Sequence, residues 1–67
     1  GFDINGILRM IMTIIPTLEL ENDIQSKFYD VIKETEHYIN SGDSIHIQFN
    51  GMLARMALVS KMNIKEV

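Results

Sequence analysis

The sequence predicts an all-α fold: an antiparallel helical hairpin with an additional short N-terminal helix, in one small domain spanning residues 1–67. Three observations predict it. Apolar residues recur at helical spacing along nearly the whole chain, Gly42 with capping residues behind it interrupts that pattern past the middle, and Pro16 interrupts it near the start.

The first helix is predicted over about residues 4–15, where Ile4, Ile7, Leu8, Ile11, Ile14 and Ile15 follow helical spacing and Asp3 or Asn5 is available as N-cap. Pro16 donates no backbone hydrogen bond and pushes Ile15 toward an extended conformation, so this helix should stop or kink there.

The second helix is predicted over about residues 18–40, its start lying between Thr17 and Asn22. The tetrad from Asn22 to Gln25 resembles a capping box. Downstream, Ile24, Phe28, Val31, Thr35 and Tyr38 form one stripe of a 3.6-residue helix. On the other face, Asp30, Glu34 and Glu36 read as a solvated acidic surface rather than an acid–base site. Asp23 and Lys27 stand four apart, the spacing of a weak helical ion pair.

Gly42 sits where a helix C-terminus favours a left-handed residue, and Asp43 or Ser44 can cap the helix that follows. A connection of about four residues makes antiparallel neighbours of the two helices. The third helix, about residues 44–63, carries Ile45, Phe49, Met52, Met56 and Val59 on the side predicted to face the second. Its apolar surface continues further round. Leu53, Ala57 and Ile64 lie beside the first stripe and Ala54, Leu58 and Met62 beyond it, leaving Arg55, Lys61 and Lys65 for water. A helix apolar over most of its circumference is normally buried on more than one side.

Composition explains why that matters. A domain of 67 residues buries only about 60% of the surface its unfolded chain exposes. With no cysteine and two histidines, neither disulfides nor an ordinary structural zinc site makes up the deficit. The 46% apolar and 22% charged residues are proportions of a folded segment. A net charge of −3, with six basic residues scattered from Arg9 to Lys65, argues against a phosphate-binding surface. The apolar run from Gly6 to Ile15 is about half of a bilayer span and contains Arg9, so no membrane insertion is expected. Without a basic leader before it or a small-x-small site after it, the run is not expected to act as a signal peptide.

No motif here carries chemistry. His37 and His46, with Glu36 and Asp43 nearby, are the only candidate metal constellation, and they fall short of a closed zinc set. Ser41 and Ser44 stand where caps belong, without a nucleophile elbow, phosphate loop or glycine fingerprint. No enzymatic activity, cofactor or metal is therefore expected. The five methionines fill a core or face a partner groove. Two nearly all-round apolar segments in so short a chain favour the partner. The predicted partner-facing residues are Ile7, Ile11, Leu53, Leu58 and Met62.

From Tyr38 to Gln48 the chain, YINSGDSIHIQ, resembles the turn region of the small co-chaperones that guard needle subunits in type III secretion systems. In that family an amphipathic helix ends in a Gly-Asp-type turn, and the next opens with polar residues, an aromatic and Gln. Gly42, Asp43 and Gln48 match, and Ala54 and Ala57 fall where the family's last helix is Ala-rich. Ile47 stands in place of the aromatic, Phe49 follows two residues later, and the segment before Pro16 has no counterpart. The resemblance covers roughly residues 24–62. It implies a cytoplasmic protein that pairs with a larger helical-repeat chaperone and helps keep the needle subunit unpolymerised before export.

Three other readings compete with a foreign partner. Two hairpins can bury each other's stripes as a structural homodimer. The needle subunit itself is also a helical hairpin, but its typical Pro- and Asp-containing loop is absent. A small helical DNA-binding regulator would need the third helix for recognition, and Arg55, Lys61 and Lys65 are sparse cations for that task.

Overall fold

A computed structural model describes residues 3–62. They form α1 (Ile4–Ile14), a short 3-10 turn (Ile15–Leu18), α2 (Asn22–Asn40) and α3 (Ile45–Met62). The predicted all-α hairpin with a shorter helix before it is the observed architecture. Ile64 and Lys65, placed in the third helix from sequence, lie outside the described residues.

Asp3 caps α1, its Oδ1 accepting from the Gly6 amide at 3.1 Å. The absent side chain at Gly6 makes room for this cap, since a Cβ there would stand 2.7 Å from Asp3 Oδ2. The α-helix stops just before Pro16, as expected, but Ile15 does not become extended. Ile15 keeps right-handed helical angles, φ −51° and ψ −46°, and the chain tightens into the 3-10 turn instead of going extended. Burial supplies the reason: Ile15 is almost wholly enclosed by the core, and a helical backbone is what turns it inward. The chain changes direction three residues after the proline, at Glu19, which adopts left-handed angles of φ 55° and ψ 38°.

The predicted capping box at the start of α2 does not form. Glu21 is the N-cap and makes no side-chain cap bond, while Asp23 Oδ1 accepts from the adjacent Ile24 amide at 3.0 Å. Gln25 reaches back further than a box requires, its Nε2 donating to the Leu20 carbonyl at 3.0 Å. At the other end the reading of Gly42 holds. Its φ is 101°, and the amides of Gly42 and Asp43 donate to the carbonyls of Ile39 and Tyr38, both at 3.1 Å. That paired pattern is a Schellman motif, which satisfies the last carbonyls of α2 and reverses the chain. Ser44 then caps α3, its Oγ accepting from the Ile47 amide at 3.4 Å.

The core is built unequally. Ile4 and Leu8 of α1, Ile15, and Ile24, Phe28, Ile32 and Ile39 of α2 are buried, and among its described side chains α3 adds only Met52. In α2 the buried stripe therefore runs through Ile32 and Ile39, one residue on from the predicted Val31 and Tyr38. Val31 is half-buried and Tyr38 is exposed. The shift follows from helices packing on two sides of α2: α3 takes one flank, and α1 takes the other. Asn5 Nδ2 donates to Asn40 Oδ1 at 3.2 Å, which fixes the start of α1 beside the end of α2. The radius of gyration is 12.6 Å, against about 11 Å for a compact chain of this length, as befits a long hairpin with the shorter α1 beside it.

Candidate interaction surface

The Schellman turn and the Ser44 cap send α3 back along α2, and a polar clamp fixes its rotation. Arg55 Nη1 donates to Glu34 Oε1 at 2.7 Å, and Nη2 donates to Thr35 Oγ1 at 3.3 Å. Thr35 is fully buried and tolerates it, because its hydroxyl also donates to the Val31 carbonyl at 2.8 Å. Two expectations are corrected by this clamp. Arg55 is only part-exposed and reaches back over α2 instead of standing free in water, and Glu34 is not a free member of an acidic face. Asp23 and Lys27 make no salt bridge; among the described residues the Arg55–Glu34 pair is the one ion pair formed.

With its rotation fixed, α3 shows α2 a narrow strip: Met52 fully enclosed, and Phe49, Met56 and Val59 half-buried against the core. Ile45, predicted for the same strip, is exposed because it begins the helix beyond the end of the core. Everything on the outer side is open to solvent. Ile47 is 70% exposed, Leu58 59% and Leu53 49%, with Gly51, Ala54 and Ala57 exposed among them. A lone exposed leucine is ordinary, but several along one helix whose described side chains include a single enclosed one mark a candidate binding surface.

The five predicted partner-facing residues do not form one patch. Leu53 and Leu58 are both exposed, as expected, yet five residues at about 100° each put them about 140° apart around the helix. They belong to different flanks. Ile7 and Ile11 are half-buried on α1, and Ile11 packs against the core rather than standing free. The open apolar side chains of that helix are Met10 and Ile14, followed by Leu18. Met62 ends α3, and its side chain lies outside the described residues. Sequence reasoning missed Ile47, the most exposed of the described large apolar side chains; its offset of seven from Ala54 and eleven from Leu58 was the available signal.

Where α1 and α3 both begin, Ile4, Ile45, His46, Phe49 and Asn50 line an open cleft of about 110 Å³. It is large enough for one apolar side chain of a partner. His46 is part of its lining, and His37 instead meets the Tyr38 ring edge-on at 5.4 Å. Among the described residues no three His, Asp or Glu side chains converge as a metal site would need. Both serines near the turn are engaged in helix ends: Ser41 Oγ donates to the His37 carbonyl at 2.8 Å, and Ser44 caps α3. No described helix is long and apolar enough to cross a membrane.

Fold and surface together define a class: a small helical hairpin with an apolar helix covered along one side. No protein-family model, curated protein or solved structure matches the chain.

Proposed function

We propose that this chain is a non-enzymatic protein-binding module that works through the outward surface of α3. One observation carries it: among the described side chains of an 18-residue helix only Met52 is enclosed, and Ile47, Leu53 and Leu58 stand in water. Each such side chain buried at a contact contributes about 1.5–3 kcal/mol, less the cost of association. A few anchors suffice for a micromolar complex. Because these side chains are already outside the core, the hairpin does not have to open to offer them.

The particular role we propose is that of a co-chaperone resembling those of type III secretion needle subunits. It would stabilise a larger helical-repeat chaperone in the cytoplasm and so help keep the needle subunit unpolymerised before export. Support comes from the Gly42–Asp43 turn, Gln48 and the alanines of α3, together with a helix surface suited to a helical partner. The test is capture of the partner from the native host, followed by its solubility with and without this chain. Leu53→Asp is expected to abolish capture while helical content stays. Equal capture by wild type and this variant would overturn the role assigned to α3.

A further inference from the structure

The outer surface of α3 contains a stripe whose spacing reads the same in both directions. Ile47, Gly51, Ala54 and Leu58 follow one another by four, three and four residues, within about 60° of arc on the side of α3 away from Met52. Large side chains stand at the two ends, 70% and 59% exposed, and small residues lie at the centre. A Cβ added at Gly51 would meet nothing within 4 Å, so no contact inside the chain requires a glycine there. Small residues in the middle of an exposed helix face allow another backbone to come close, as they do in tightly crossed helix pairs.

We infer that a second copy of this chain docks on this stripe, antiparallel, about a twofold axis passing between Gly51 and Ala54. The inference rests on the protein-binding role proposed above and names the partner of one flank of α3. A twofold contact must be self-complementary, with residue i meeting j and j meeting i. The stripe meets that condition. Ile47 of each copy falls against Leu58 of the other, and Gly51 against Ala54, so each large side chain meets an opposite large one over a close central crossing.

Charge agrees with the same register. Lys61, exposed in the last turn of α3, comes to the level of Asp43 and Ser44 of the other copy. Asp43 is exposed in the turn just before α3. It therefore offers the other copy's lysine a carboxylate at both ends of the pair, and the two helix dipoles run opposite. Parallel packing would instead set Asp43 beside Asp43 and Lys61 beside Lys61. Leu53 lies on the other flank and stays open for a different protein.

Two substitutions test the register without harming the helix. Ile47→Glu places a carboxylate three residues after the Ser44 cap, where it completes a capping box. Leu58→Lys adds a cation near the C-terminal end, which the dipole favours. Sedimentation of the wild type over rising concentration should carry the mass from 7.7 kDa toward twice that value. Each variant alone should stay at the single-chain mass with unchanged helical circular dichroism. Their equimolar mixture should recover the doubled mass. Antiparallel pairing then sets the introduced carboxylate against the introduced ammonium on one side, and the Leu58 and Ile47 that each variant retains against each other on the other. Gly51→Leu should keep the helix and lose the pair.

A wild-type chain at single mass up to millimolar concentration, or a folded mixture that fails to pair when the wild type does, overturns the antiparallel twofold. Binding of a foreign protein is decided separately, by capture with the Leu53→Asp chain, so failure of one does not decide the other.

Discussion

Met52→Ala tests how α3 is held. Among the described side chains of that helix Met52 is the one with no exposed surface, packed in the cluster with Ile4, Leu8, Ile32 and Phe28. Truncating a fully buried methionine costs about 2–5 kcal/mol, the sum of lost transfer energy and the cavity left behind. A chain of 67 residues has only roughly 3–10 kcal/mol of total stability. The substitution therefore removes a large fraction of it. With a urea dependence of about 1 kcal/mol per molar, the midpoint should fall by at least about 2 M, or the chain should be unfolded in buffer. Leu58→Ala is the control. At 59% exposure it makes little use of the core, so its midpoint should stay within about 0.5 M of the wild type at dilution. The assay is urea unfolding followed by far-ultraviolet circular dichroism at low micromolar concentration. Equal losses in the two variants, or a larger one for Leu58→Ala, would mean that α3 presents the opposite face to α2.

Four further outcomes follow from the glycines and the clamp. Gly42→Ala should cost about 1–2 kcal/mol, because φ there is 101°, whereas Gly51→Ala should stabilise by about 0.5–1 kcal/mol, both read from urea midpoints. Gly6→Ala should bring no gain in the wild type, where its methyl displaces the Asp3 cap, but should stabilise Asp3→Ala by about 0.5–1 kcal/mol; additive effects in this double-mutant cycle would contradict the cap geometry. Arg55→Met keeps the side-chain stem over α2 and removes a largely exposed ion pair, so it should cost less than about 1 kcal/mol, and about 1 M salt should shrink the difference.

The helix ends were the most legible part of the sequence, because each depends on a few local residues. Asp3, Gly42 and Ser44 do what their chemistry predicts. Apart from the capping box at Asn22–Gln25, which does not form, the misreadings came from packing, which local pattern does not encode. Next to Pro16 the burial of Ile15 outweighed a backbone preference. In α2, Val31 stands beside Ile32 and Tyr38 beside Ile39, so two stripes were available, and the position of α1 decided between them. Arg55 looked like a water-facing cation until Glu34 and Thr35, twenty or so residues away in sequence, met it across the hairpin. As for the surface, an excess of apolar residues on α3 was readable from composition and spacing. Its division into flanks was readable too: a count of about 100° per residue already separates Leu53 from Leu58 and aligns Leu58 with Ile47.

The measurement closest to the central claim is the response of side-chain methyl signals to a soluble paramagnetic agent, taken first on the dilute chain and again after assembly. In the dilute monomer, methyls of Ile47, Leu53 and Leu58 should broaden strongly while those of Met52 and Ile32 stay sharp. On assembly at least one flank of α3 should become protected. Methyls of Ile47 and Leu58 already shielded in the monomer would contradict an outward docking surface and return α3 to the core.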